Sequence, residues 1–211
     1  NRPIERVFVD QFAIAETEVT NGEYSEFIRE TGHAAPPGWN GHKFPADTSA
    51  FPVVNVSWKD AADFCAWKAG KLGLPVRLPT EAEWEQAARG PEHLKYPWGA
   101  DWNKDAAISK ETGGKVSPVK SFPINRSSFG VYDMIGNVWE WVADEIGQGD
   151  AVSDTDVESA RKKGRKLRIV KGGSVEESFK DMDSQSRYEV PEGTKVKMIG
   201  FRYLVVRKDP S

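Results

Sequence analysis

All eight tryptophans of this 211-residue chain lie between Trp39 and Trp141, and the chain also carries 19 glycines and 13 prolines. This pairing of large rings with frequent backbone breaks constrains the fold most. Long regular elements do not tolerate Gly and Pro at such density. The pattern therefore predicts a loop-rich fold whose core is held by rings. Hydrophobic residues at 38% and charged residues at 29% fit a folded chain rather than a disordered one. The length suits one large domain, read as residues 1–211. The net charge of −3, with both signs interspersed, lacks the basic excess of a nucleic-acid footprint. No apolar run approaches the ~20 residues of a membrane span.

Val7–Val19 reads as short strands, with β-branched and aromatic residues in partial alternation. Three helices follow, each opened by a residue that can cap it. Thr20 with Glu23 forms a capping box ahead of Tyr24, Phe27 and Ile28, and Gly32 ends that helix. Ser57 with Asp60 opens the second, where Trp58, Ala61, Ala62, Cys65, Ala69 and Leu72 recur at helical spacing. Thr80 with Glu83 opens the third, with Trp84, Ala87 and Ala88 on its buried side and Gly90 as its stop. Helix content is expected to end there. Between the first two helices, His33–Pro52 reads as an irregular surface-crossing loop.

Residues 144–168 divide into an acidic half (Asp144, Glu145, Asp150, Asp154, Asp156, Glu158) and a basic half (Arg161, Lys162, Lys163, Arg165, Lys166, Arg168). Such composition predicts a solvated, partly mobile insertion. Cys65 is the only cysteine and lies on an apolar helix stripe, as an inert, small buried residue does. His33, His42 and His93 show no spacing that would assemble a transition-metal site. The chain opens at Asn1 without Met, so a processed form or an excised piece of a longer chain is expected; an extracytoplasmic compartment, periplasmic or secreted, is slightly favoured.

Several blocks recur in an order that matches a known family. They are Glu18-Val19-Thr20-Asn21 with Tyr24 and Phe27; Pro52–Trp58 with Ala61, Phe64, Cys65, Ala66 and Trp67; Arg77–Gly90; Tyr96-Pro97-Trp98-Gly99; Gly130–Trp141; Lys171-Gly172-Gly173-Ser174; and Gly200-Phe201-Arg202. Together they resemble the formylglycine-generating enzyme, or sulfatase-modifying factor, family over nearly the whole chain. The resemblance implies an α+β fold related to C-type lectins, with few short helices, short strands and much irregular loop. Fold alone does not fix function, and the family holds oxidases, other enzymes and binding proteins.

The resemblance also implies chemistry. Asp133, Gly136, Val138 and Glu140 match the family's second calcium site. Carboxylates flanking a tight Gly turn, with its carbonyls, are the hard oxygen set calcium prefers. The alternative is a structural Glu140 paired with an arginine such as Arg202. The family's other calcium site maps to 103–108 and Val116. Here the expected acid is missing and Lys115 stands close by, so one calcium site is expected and a second is doubtful. The family's oxidases use two cysteines after the Gly-Gly-Ser block, at positions held here by Glu177 and Met182. Neither can form the thiolate that chemistry needs. The sequence thus points to a calcium-stabilised, non-catalytic domain for a protein, peptide or glycan ligand, with no nucleic acid and no membrane span. The ligand cleft is expected at Trp39, Glu177, Lys180, Asp181 and Arg187. The alternative is a cysteine-independent enzyme, of the siderophore-tailoring kind, using acids of the same cleft.

Overall fold

The computed structural model describes residues 12–147 and 155–206. In chain order the elements are β1 (Phe12–Ile14), α1 (Asn21–Thr31), α2 (Trp58–Leu72), β2 (Val76–Arg77), α3 (Glu81–Arg89), β3 (Trp139–Glu145), α4 (Thr155–Lys162), β4 (Leu167–Lys171), β5 (Arg187–Pro191), β6 (Ile199–Phe201) and β7 (Leu204–Val206). The fold is α+β.

 The long irregular stretches are residues 32–57, between α1 and α2, and residues 90–138, between α3 and β3, the latter broken by a 3-10 turn at Lys110–Thr112.

The three capping boxes form as their spacing predicts. The side chains of Thr20, Ser57 and Thr80 accept from the backbone N–H three residues on, while Glu23, Asp60 and Glu83 reach back to the cap. Gly32 and Gly73 close α1 and α2 in the left-handed region, which glycine enters at no steric cost. The stripe on α2 is shorter than its periodicity suggests. Ala61, Phe64 and Cys65 are buried, but Leu72 is 46% exposed because the last turn of the helix runs past the core.

Two sheets carry the strands. One is antiparallel with order β1-β7-β2; the other has order β5-β4-β3-β6, in which β3 pairs antiparallel with β4 and parallel with β6. The first core joins Tyr24, Phe27, Phe64, Trp141 and Phe201, with Tyr24 stacked on Phe64 at 5.8 Å and Phe201 edge-on to Phe64 at 5.3 Å. Such ring pairs add about 0.5–1.5 kcal/mol beyond their buried area. Trp84 and Trp141 are fully buried, and the other six tryptophans sit half-buried at the margins. Several of the indole N–H groups reach fixed acceptors, such as Val142 O for Trp58 and Val56 O for Trp141. The expected ring-held core is therefore present.

Two expectations need correction. Helix content does not end at Gly90, because α4 follows. The 144–168 stretch is also not simply a solvated insertion. β3 runs through it to Glu145, Val157 and Ala160 on α4 are buried against Leu167 and Ile169, and Arg168 lies 3.8 Å over the Trp58 ring. Apolar residues three apart within the charge run supply that face, which composition alone hides. Residues 148–154 of this stretch, and 7–11 of the expected first strands, lie outside the described residues.

Candidate cation site and the positions without thiols

The segment Asp133–Glu140 curls tightly, with Asp133, Gly136 and Asn137 all at positive φ. Gly136 is required there: a Cβ would collide with the backbone carbonyl of Ile108. The curl is pinned from four sides. Gly136 N–H donates to Gly172 O, Asn125 Nδ2 to Ile135 O, Val175 N–H to Asn137 O, and Lys120 N–H to the Asp133 carboxylate.

Behind the curl lies a buried charge cluster of Glu18, Asp133, Glu140 and Arg202, none more than 3% exposed. Arg202 donates to both oxygens of Glu140 at 2.7 Å, and Trp84 Nε1 donates to Glu140 Oε2 at 2.9 Å. Glu140 is therefore fixed as the arginine's partner, the alternative the sequence left open. Glu18 was not foreseen. Its Oε1 accepts from Asn137 Nδ2, but its Oε2 is buried with no hydrogen-bond partner, 4.0 Å from the Arg202 guanidinium. Burial, then repulsion from Asp133 and Glu140, pushes the Glu18 carboxyl well up. Burial likewise lifts Asp133 to about 6. Three carboxylates face one guanidinium, an imbalance that protons or a cation must relieve.

The residues suit a hard cation in part. Among the described residues no three His, Cys, Asp or Glu side chains converge on one point. An ion here would therefore draw on carbonyl oxygens as well as on Glu18 and Asp133, as calcium does. Gly136 and Val138 stand on the curl that would supply those carbonyls. Near the doubtful second site, Lys115 is exposed.

The positions where the family's oxidases carry cysteines hold no sulfur nucleophile. Glu177 accepts from Trp139 Nε1 at 3.2 Å. Met182 is 1% exposed and fills the space beside Gly173, where a Cβ would meet its Sδ at 2.6 Å. Cys65 belongs to the first core, 2% exposed, while Met182 belongs to a separate cluster with Ala107 and Ile135. Burial pushes the Cys65 thiol up to about 12.

The expected ligand cleft is not assembled as one. Trp39 packs on Tyr24 and Phe44 beside the first core. Lys180 and Asp181 sit in a 3-10 turn next to Phe179, and Arg187 pairs with Glu81 and Glu189. None of the five lines either surface cavity, of about 630 and 400 Å³. The charges that sequence assigned to recognition are, for Arg187, satisfied within the fold.

The model of the sulfatase-modifying factor enzyme 1-like domain matches residues 1–208. The chain belongs to this family. The mouse formylglycine-generating enzyme is 32% identical over 82% of this chain and 59% of its own length. The bovine inactive C-alpha-formylglycine-generating enzyme 2 is 33% identical over 70% of this chain and 64% of its own length. The chain thus spans less than two thirds of these relatives. The structure of PvdO from Pseudomonas aeruginosa superposes with a TM-score of 0.73 at 27% identity, covering 93% of this chain and 80% of that one. The family's relatives therefore include proteins named as enzymes and proteins named as inactive. No helix among the described residues is long and apolar enough to cross a membrane.

Proposed function

We propose that this chain is a non-catalytic binding or scaffold domain, stabilised by calcium, that engages a protein, peptide or glycan. The observation that carries the non-catalytic part is the absence of a usable thiol. Positions 177 and 182 are Glu and a buried Met, and the one cysteine lies in another core with its thiol raised to about 12. Formylglycine generation needs a thiolate to hold copper and engage the substrate cysteine. Of the carboxyls raised by burial, Glu18 and Asp133 are sealed inside and Asp144 accepts from the Glu81 N–H at the start of α3; none of the three lines either cavity, which gives general acid–base catalysis no foothold there.

The calcium part rests on the unpartnered Glu18 oxygen beside Asp133. In this reading Glu18, Asp133 and the carbonyls of Gly136 and Val138 hold the ion, while Glu140 positions Arg202. The ion supplies charge balance, not catalysis. A ligand bound only to the folded state at a hundred times its Kd adds about 2.7 kcal/mol, or roughly 5–10 °C in Tm for a domain of this size. Thermal melts in excess calcium and in EGTA should differ by that much; equal values would remove calcium from the account.

A further inference from the structure

We propose that the turn between α4 and β4 is a binding site for an anionic polysaccharide. Arg161, Lys162, Lys163, Arg165, Lys166 and Arg168 crowd into eight residues. Runs of this kind on a surface concentrate positive potential. Most of these charges are answered within the fold. Arg161 and Lys162 pair with Glu158, Lys166 with Glu145, and Arg168 with Glu145 and Glu192. Cations at a helix C-terminus also favour the helix dipole, which accounts for Arg161 and Lys162 without a ligand. Lys163 and Arg165 are different. They are exposed, and neither has an ion-pair partner among the described residues.

The turn holds these two charges on a firm frame. Gly164 stands at φ +75 and donates to Arg161 O, and Arg165 N–H donates to Ala160 O. Glu192 N–H donates to Lys166 O, which ties the turn to the end of β5. Between them lies the larger surface cavity, about 630 Å³, with Gly164, Arg165 and Lys166 on one wall and Glu192, Gly193 and Thr194 on the other. Glu192 turns its carboxylate to Arg168 at 3.5 Å, so the cavity's acid is already paired. A concave site with the Thr194 hydroxyl, open backbone and the Arg165 cation on its wall, with exposed Lys163 two residues away on the same turn, suits a chain of sugars bearing sulfate or carboxylate groups.

The same features argue against other polyanions. No aromatic residue lies in the run from 158 to 168, so bases would find no stacking surface. The exposed large hydrophobics, Leu72, Leu74, Ile124, Phe129, Tyr188 and Val196, line no part of this cavity, so an acyl layer would find no wedge. The proposal names a ligand class for the binding-domain reading and rests on it only in that sense. Copper-dependent turnover would overturn that reading without touching this site.

The test is equilibrium binding of fluorescent dextran sulfate and polygalacturonate to the full chain across a salt series. Uncharged dextran, single-stranded DNA and phosphatidylserine vesicles are the comparisons. Binding to either anionic polysaccharide should weaken steeply with salt and fall at least about tenfold in Lys163→Glu/Arg165→Glu. The control, Lys59→Glu/Lys104→Glu, changes net charge equally at exposed lysines elsewhere and should bind as wild type. Both variants should keep the wild-type Tm, since all four side chains are exposed. The proposal fails if the polysaccharides do not bind, if the two variants weaken binding equally, or if DNA or vesicles bind as tightly at matched charge.

Discussion

Glu18 decides how the buried charge cluster behaves. Its Oε2 has no hydrogen-bond partner in the fold, and such a buried group costs about 1–3 kcal/mol, more when charged. Replacing it by Gln removes one of three facing carboxylates. Glu18→Gln should therefore lose the calcium-dependent rise in Tm while melting no lower than wild type in EGTA; a retained rise would mean that the ion sits elsewhere. Gly136 makes a separate prediction. Its φ of +80 and the Ile108 carbonyl leave no room for a methyl group, so Gly136→Ala should cost at least about 1–3 kcal/mol in urea unfolding. Sequence displayed Asp133, Gly136 and Glu140 as a group. It could not display Glu18, which reaches the cluster from more than a hundred positions away.

The helices divide along the same line between local and distant signals. The caps of α1, α2 and α3 were legible because each is closed within four residues. α4 was not, because its buried Val157 and Ala160 are surrounded by charge and draw their stability from Leu167 and Ile169. The cap of α2 also carries a pH signature. Burial opposes ionisation of Asp60, but hydrogen bonds from Lys195, Ser57 and His33 outweigh it and hold the carboxyl at about 2. An unfolded Asp titrates near ~4, so the unfolded chain takes up the proton first as acid is added. The stabilisation from Asp60 is complete above pH ~4 and is lost as pH falls through about 2. Denaturation midpoints measured over that window should fall less steeply in Asp60→Asn than in wild type; identical slopes would show that Asp60 does not contribute.

At the scale of the whole molecule, the family and its α+β fold were legible from ordered motifs, because each motif fixes a turn or a buried contact. The Lys171-Gly172-Gly173-Ser174 block is an example: all four residues are buried, and Lys171 is clamped by Glu81 and Glu85. The ligand cleft was not legible. Composition shows which side chains are charged, not which are already paired, and Arg187 proved to be paired with Glu81 and Glu189. What remains from sequence to structure is a family fold whose one cysteine, Cys65, is buried away from positions 177 and 182. The most direct measurement is incubation of the copper-treated chain, under oxygen and reductant, with a sulfatase-type cysteine peptide, read by mass spectrometry. The account predicts that the cysteine stays unconverted, as in a protein-free control; formylglycine above that control would contradict it.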